Sequence, residues 1–282
     1  MSIIGTPDGR FRRAGRALAA ASLCLMLSAC SLFGGEDEPE YVERRVEDLY
    51  NAAMDAMLIG DNFDAARLFD EVERQHPYST WAAKAQLMAA FANYQSNRYD
   101  ETINALDRFI QLHPGHQDIA YAHYLRAISY YEQISDVGRD QKMTRLALVA
   151  LEEVVRRFPE SRYSRDASLK LDLARDHLAG KHMEIGRFYL SQSELLAAIN
   201  RFRTVIKDYQ TTTHVPEAMH RLVEAYLTLG VTEEAQATAA VLGHNYPGSA
   251  WYADSYVLLT GIDLRPEEYQ GSWISRVWKS LI

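Results

Sequence analysis

Residues 65–77 read AARLFDEVERQHP, residues 102–114 read TINALDRFIQLHP, and residues 147–159 read ALVALEEVVRRFP. One spacing runs through all three. A small residue is followed four places on by an apolar one, three further on by a second, and five further on by proline. The sets are Ala65, Phe69, Val72, Pro77, then Thr102, Leu106, Phe109, Pro114, then Ala147, Leu151, Val154, Pro159. Two more copies follow: Ala198, Phe202, Val205 with Gln210 in the proline place, and Ala235, Ala239, Leu242, Pro247. Offsets of four and three put the apolar residues on one helix face. Proline cannot continue that helix and stops it nearby. The copies start 37, 45, 51 and 37 residues apart. Recurrence near that length predicts a stacked array of helix pairs rather than one globular core. Such arrays mainly offer extended surfaces to partners.

Each unit reads as a first helix, a tight turn, a second helix and a proline turn. The expected pairs are 42–59 with 63–76, 80–96 with 99–113, 118–134 with 144–158, 164–190 with 194–209, and 215–229 with 232–245. A last helix over 250–261 would cover the end of the stack. Gly60 and Gly230 suit helix C-caps because glycine enters the left-handed region freely. A polar insertion over 135–142 lengthens the third unit. Gly180 and Gly186 count against an unbroken fourth first-helix. Ser79, Ser161 and Ser249 each follow a proline turn, where a hydroxyl can accept from the free N–H groups of the next helix. No strand pattern is present. The expected fold is all-α, a superhelical array of about five helix pairs with a capping helix. The spacing is similar to the tetratricopeptide repeat, with Phe69 and Phe202 in its aromatic place. Valine, phenylalanine or leucine replaces the usual alanine three places on, and the usual tryptophan, leucine and glycine of the first helix are mostly missing.

Residues 1–29 read as a leader. Arg10, Arg12, Arg13 and Arg16 precede the apolar run from Ala17 to Ala29, 13 residues long and too short to span a bilayer. It ends Leu27-Ser28-Ala29-Cys30, which resembles a bacterial lipobox, so Cys30 is expected to carry lipid. The other cysteine, Cys24, lies in the leader, and the mature chain has no thiol pair. In lipoproteins of this kind aspartate after the cysteine favours the inner membrane, so Ser31 implies the outer membrane. Residues 30–41 form a tether of glycine, proline and charge. Residues 42–262 form the array and residues 263–282 a tail. The whole chain carries −8, and loses four arginines and one acid with the leader. An acidic chain without a basic stripe does not suit nucleic acid.

No nucleophile elbow, phosphate loop or HExxH appears, and the carboxylates fall on polar helix faces. No catalysis, cofactor or metal is expected. His76 and His113 fall at helix ends, where imidazole suits the helix dipole. Projecting the repeat places Tyr50, Met54 and Met57, then Leu87, Phe91 and Tyr94, then Tyr121 and Tyr124, on the inner wall of first helices. A Tyr- and Met-rich wall could hold an extended peptide, or its side chains could simply pack between helices. Arg126 and Arg201 are partner contacts or snorkelling surface residues. In the tail, Trp273, Ile274, Val277, Trp278, Leu281 and Ile282 share one side of a helical wheel. That amphipathic helix suits a bilayer interface, a partner groove or the last repeat itself.

Behind a lipobox, the five repeats resemble the BamD family, the lipoproteins of the outer-membrane β-barrel assembly complex. The strongest matches are Arg108-Phe109-Ile110-Gln111-Leu112-His113-Pro114 and Tyr121-Ala122-His123-Tyr124-Leu125-Arg126-Ala127, with a further one at Asn200-Arg201. The resemblance implies a non-enzymatic scaffold that binds the periplasmic domain of BamA, holds smaller lipoproteins and touches unfolded barrel proteins. Arg126 counts among the groove candidates, and the resemblance puts Arg201 near the BamA-binding end. Two other scaffolds share such a fold, a pilus-secretin lipoprotein and a cell-division coordinator. They have stricter repeats near 34 residues or a leading coiled coil. A cell-wall hydrolase or metal enzyme would need a catalytic constellation.

Overall fold

A computed structural model describes residues 43–281. Cys30, Ser31, the leader and the tether lie outside the described residues. Among those described there are twelve helices and no strand. The first six are α1 (Val46–Leu58), α2 (Asn62–Gln75), α3 (Thr80–Gln95), α4 (Tyr99–Leu112), α5 (Ile119–Tyr131) and α6 (Lys142–Arg157). The others are α7 (Ser164–Ser191), α8 (Leu195–Asp208), α9 (Val215–Leu229), α10 (Thr232–Asn245), α11 (Ala250–Thr260) and α12 (Trp273–Leu281). Each helix from α1 to α10 packs on the next in sequence, giving five pairs, and α11 packs on α9 and α10. The fold is all-α, as the spacing predicts.

Helix ends follow local chemistry. Gly60 and Gly230 take φ of +85° and +76°, the left-handed region where a side chain would be strained. Ser79 Oγ accepts from Trp81 N–H at 3.1 Å and Ser249 Oγ from Trp251 N–H at 3.2 Å. The parallel expectation for Ser161 fails. The turn after Pro159 runs on, α7 starts at Ser164, and Ser161 Oγ is buried without a hydrogen-bond partner. α5 ends at Tyr131 instead of 134, because Gln133 and Ile134 donate three residues back, to Tyr130 and Tyr131. α6 starts at Lys142, whose N–H is met by the Asp140 carboxylate at 3.1 Å.

The two glycines do not break α7, which runs 28 residues. Each serves close packing instead. A Cβ on Gly186 would stand 2.5 Å from the Phe202 ring, and one on Gly180 would stand 3.2 Å from His214 Nε2. The helix gives up propensity there so that an aromatic ring can rest on its backbone.

The repeat positions form the core. Ala65, Phe69, Val72, Leu106, Phe109, Leu151, Val154, Phe202, Val205 and Leu242 are fully buried. Thr102 takes the small place because its hydroxyl is bonded, to Arg98 O at 2.9 Å and Ala90 O at 3.3 Å.

A further repeated feature is an aromatic or imidazole residue just before the proline place: His76, His113, Phe158, Tyr209 and Tyr246. All five cap their helices with φ from −127° to −134°, each N–H bonded to the carbonyl four residues back. Tyr209 does so ahead of Gln210. The cap conformation therefore does not depend on proline.

Candidate functional site

The wall of first helices is richest in tyrosine between α3 and α7. Tyr124 stacks on Tyr163 with centroids 5.0 Å apart, and Tyr121 lies 5.4 Å from the same ring. Tyr124 Oη donates to Asp166 Oδ2 at 2.6 Å, and Lys170 Nζ donates to the same carboxylate at 2.8 and 2.9 Å. Lys170 also lies over the Tyr131 ring at 5.8 Å. Tyr94 packs edge-on against Tyr99 at 5.7 Å. Burial, with Glu132 beside it, pushes the Tyr94 hydroxyl up to about 12. Burial pushes Tyr121 to about 12 as well, and moves Tyr124 the same way with help from Asp166. Lys170, then Tyr124, hold the Asp166 carboxyl below the usual range. These phenols stay protonated and act as donors set in apolar surface. Leu169 and Leu173 of α7 extend the wall, being 60% and 58% exposed.

The expected groove residues divide. Met54, Met57, Phe91, Tyr94, Tyr121 and Tyr124 are half-buried. Tyr50 and Leu87 are core, 5% and 6% exposed. Tyr50 is held by Phe69 at 5.3 Å and Trp81 at 4.8 Å. Arg126 is turned away from the wall. Its guanidinium joins Asp107 on α4 at 2.8 Å to Glu153 on α6 at 2.6 Å, bridging second helices. Sequence reasoning missed Tyr163, Asp166 and Lys170. Tyr163 sits in the turn before α7, outside any helical period.

Beside Arg126, His123 is 1% exposed, packed on Phe158 at 5.1 Å, with Nδ1 3.6 Å from Glu153. Burial pulls its pKa down to about 4, although Glu153 acts in the opposite direction. An unfolded imidazole takes its proton near pH 6.5, the folded one near 4. The unfolded chain therefore binds more protons in that window, and stability falls as pH drops through it. The loss at pH 5 is expected to be about 1–2 kcal/mol. Urea unfolding at pH 7 and pH 5 measures it. The His123→Phe variant should show a smaller drop between the two, and an unchanged drop would clear His123.

At the other end, Arg201 on α8 is half-buried and makes no hydrogen bond or ion pair among the described residues. Its neighbours are engaged. Arg203 donates to Tyr226 Oη at 3.0 Å and covers the Trp273 ring at 4.6 Å, and Arg187 pairs with Glu217 at 3.0 Å. The tail helix α12 docks on α10. Ile274 is fully buried, and the Glu234 carboxylate accepts from Trp273 N–H at 2.9 and 3.1 Å. Val277 and Trp278 are half-buried, with Trp278 at 6.5 Å from Tyr246. No group of three or more metal-ligating side chains occurs among the described residues, nor any helix long and apolar enough to cross a membrane.

Residues 42–242 match the family described as YfiO, outer membrane lipoprotein. The outer membrane protein assembly factor BamD of Caulobacter vibrioides is 50% identical over 252 residues, 89% of this chain and 83% of that protein. The chain belongs to the BamD family. BamD of Rickettsia prowazekii is 49% identical over 69% of this chain and 78% of its own, and BamD of Neisseria meningitidis serogroup A is 34% identical over 84% and 95%. The family match ends at Leu242, within α10, so α11 and α12 lie beyond it. The tyrosine wall and Arg201 lie inside it.

Proposed function

We propose that this chain is a non-enzymatic component of the outer-membrane β-barrel assembly complex, anchored through lipid on Cys30 and facing the periplasm. Half-identity to a BamD along nearly nine-tenths of the chain carries that reading. In it, the α3–α7 wall receives unfolded outer-membrane proteins, and the end built from α8 holds the periplasmic domain of BamA, with other lipoproteins of the complex beside it. The chemistry of the wall supports the first role. Protonated tyrosines set among half-exposed leucines suit an extended segment of alternating apolar residues, whose backbone the phenols can meet with hydrogen bonds. Nothing in the helix pairs favours a secretin or cell-division scaffold.

Photo-crosslinking tests the wall. A crosslinker replacing Phe91 or Tyr94 should capture a peptide copied from an outer-membrane β-strand. One replacing Arg156, exposed on the second helix α6, should capture little. Equal capture from both faces would remove the wall from the mechanism while leaving the family assignment standing.

A further inference from the structure

The tail helix α12 lies on α10, but the fit is incomplete. Among Trp273, Ile274, Val277 and Trp278, Ile274 alone is fully buried and the other three are half-buried. A cavity of about 170 Å³ remains between α10 and the tail, lined in part by Val241, His244, Asn245 and Trp278. The Trp278 indole N–H is buried without a hydrogen-bond partner. A donor left open in that way costs free energy.

The helix is also self-contained. Ser272 Oγ accepts from Ser275 N–H at 3.1 Å, so the tail carries its own N-terminal cap. Residues 261–271 before it are mostly exposed. Gln236 holds that segment, its side chain donating to Arg265 O at 2.7 Å and its carbonyl accepting from Glu267 N–H at 3.4 Å.

The charge of the tail is not neutralised. In a chain that carries −8, the polar side of α12 presents Arg276 and Lys279. Arg276 donates to Gly271 O at 2.7 Å, and Lys279 donates to Gln270 Oε1. Both acceptors are uncharged and belong to the tail itself. Neither cation meets a carboxylate among the described residues. At about 100° per residue, both cations fall opposite Ile274 on the wheel.

That opposition selects the surface that completes the helix. A protein groove that took the apolar side would leave both cations facing water. A helix lying in a bilayer surface sinks its apolar side to the acyl boundary, while long basic side chains reach back to the phosphates. Tryptophan is favoured at that depth, where the ring is in apolar surroundings and the N–H finds carbonyl or water acceptors.

We propose that α12 is a binding helix for an anionic phospholipid surface, docked on α10 in the free protein and laid among the headgroups when a membrane is present. The move uncovers the α10 seat of Ile274 but buries that side chain again. It immerses the three half-buried neighbours, gives the indole N–H an acceptor and pairs two cations. The inference does not rest on the assembly role.

The test uses the mature chain from Ser31, which carries no acyl group. Vesicles of phosphatidylethanolamine and phosphatidylglycerol with brominated acyl chains are added. The protein should float with these vesicles and not with phosphatidylcholine vesicles, and its tryptophan fluorescence should be quenched. Trp273→Phe with Trp278→Phe should abolish the quenching, because Trp81 and Trp251 belong to the array. Arg276→Gln with Lys279→Gln should weaken binding about thirtyfold, the factor for two basic side chains at an anionic surface. The melting temperature should not change, since both side chains bond only within the tail. No flotation, equal flotation with phosphatidylcholine, binding without tail quenching, or undiminished binding in the glutamine variant would each overturn the proposal. So would a tail that moves on adding the BamA fragment and not on adding vesicles, which would assign it to a protein groove.

Discussion

Phe202→Ala is expected to cost about 3–5 kcal/mol of folding stability. Phe202 is fully buried within the largest core cluster, which draws on every helix from α7 to α12 and so joins the last two repeats. Neighbours such as Met183, Ala198 and Val205 are themselves fully buried. They cannot collapse into the space without leaving voids of their own. Because an array is stabilised by interfaces between adjacent units, losing this ring should also loosen the coupling of the last repeats. Urea unfolding followed by circular dichroism should show a lower and broader transition. The same contact constrains Gly186, whose missing Cβ is the seat of the ring. Gly186→Ala alone should destabilise by about 1–3 kcal/mol through overpacking. Combined with Phe202→Leu, it should cost less than the two changes summed, since each relieves the other. An unchanged midpoint for Phe202→Ala would mean that the repeat register is wrong.

The spacing of Phe202 was legible because one period governs every second helix. The first helices were harder to read, and the reason is geometric. Tyr50 and Leu87 stand fifteen residues before Ala65 and Thr102, the place that Met183 and His220 take before Ala198 and Ala235. All four are 6% exposed or less. A first helix touches its own partner and also the neighbouring pairs, so its buried arc is wide and only a narrow stripe remains for a wall. Sequence projection left Tyr50 and Leu87 as either wall or packing between helices. Phe91 and Tyr94, four and seven places further on, share the face of Leu87 yet are half-buried, so burial changes along the helix and not only around it. Gly186 misled for a related reason. Helix propensity weighs a glycine as a break, whereas here the glycine is a docking point for a ring from the next helix. Arg126 lay in a matching block, but its direction was set by Asp107 and Glu153, carboxylates 19 and 27 residues away on other helices. No local pattern contains that information.

Arg201→Glu is expected to weaken binding to the periplasmic domain of BamA by about 2–4 kcal/mol, the range for a charge lost from a partly desolvated contact. The structure gives Arg201 no internal work. Arg203, two residues on, holds Tyr226 and Trp273, and Arg221 holds Glu224 at 2.7 Å. Arg201 has no such partner among the described residues, yet it is half-buried, so its guanidinium is held at the surface with part of its hydration already removed. An arginine in that state binds a carboxylate at lower desolvation cost than a free one. Reversal should leave the fold unchanged because no intramolecular bond is broken. One internal effect is expected. Burial and then the Arg201 charge hold the His182 pKa down, so Arg201→Glu should raise it, and the His182 ring signal reports that shift directly. Arg201→Lys separates charge from shape: it keeps the positive charge but lacks the bidentate fork, and should fall between wild type and Arg201→Glu. The measurement is calorimetric titration of each purified variant with a BamA periplasmic fragment, with circular dichroism as the folding control. Wild-type affinity in a folded Arg201→Glu whose His182 signal has moved would place Arg201 outside the interface, because the altered charge would then be present and without effect on binding.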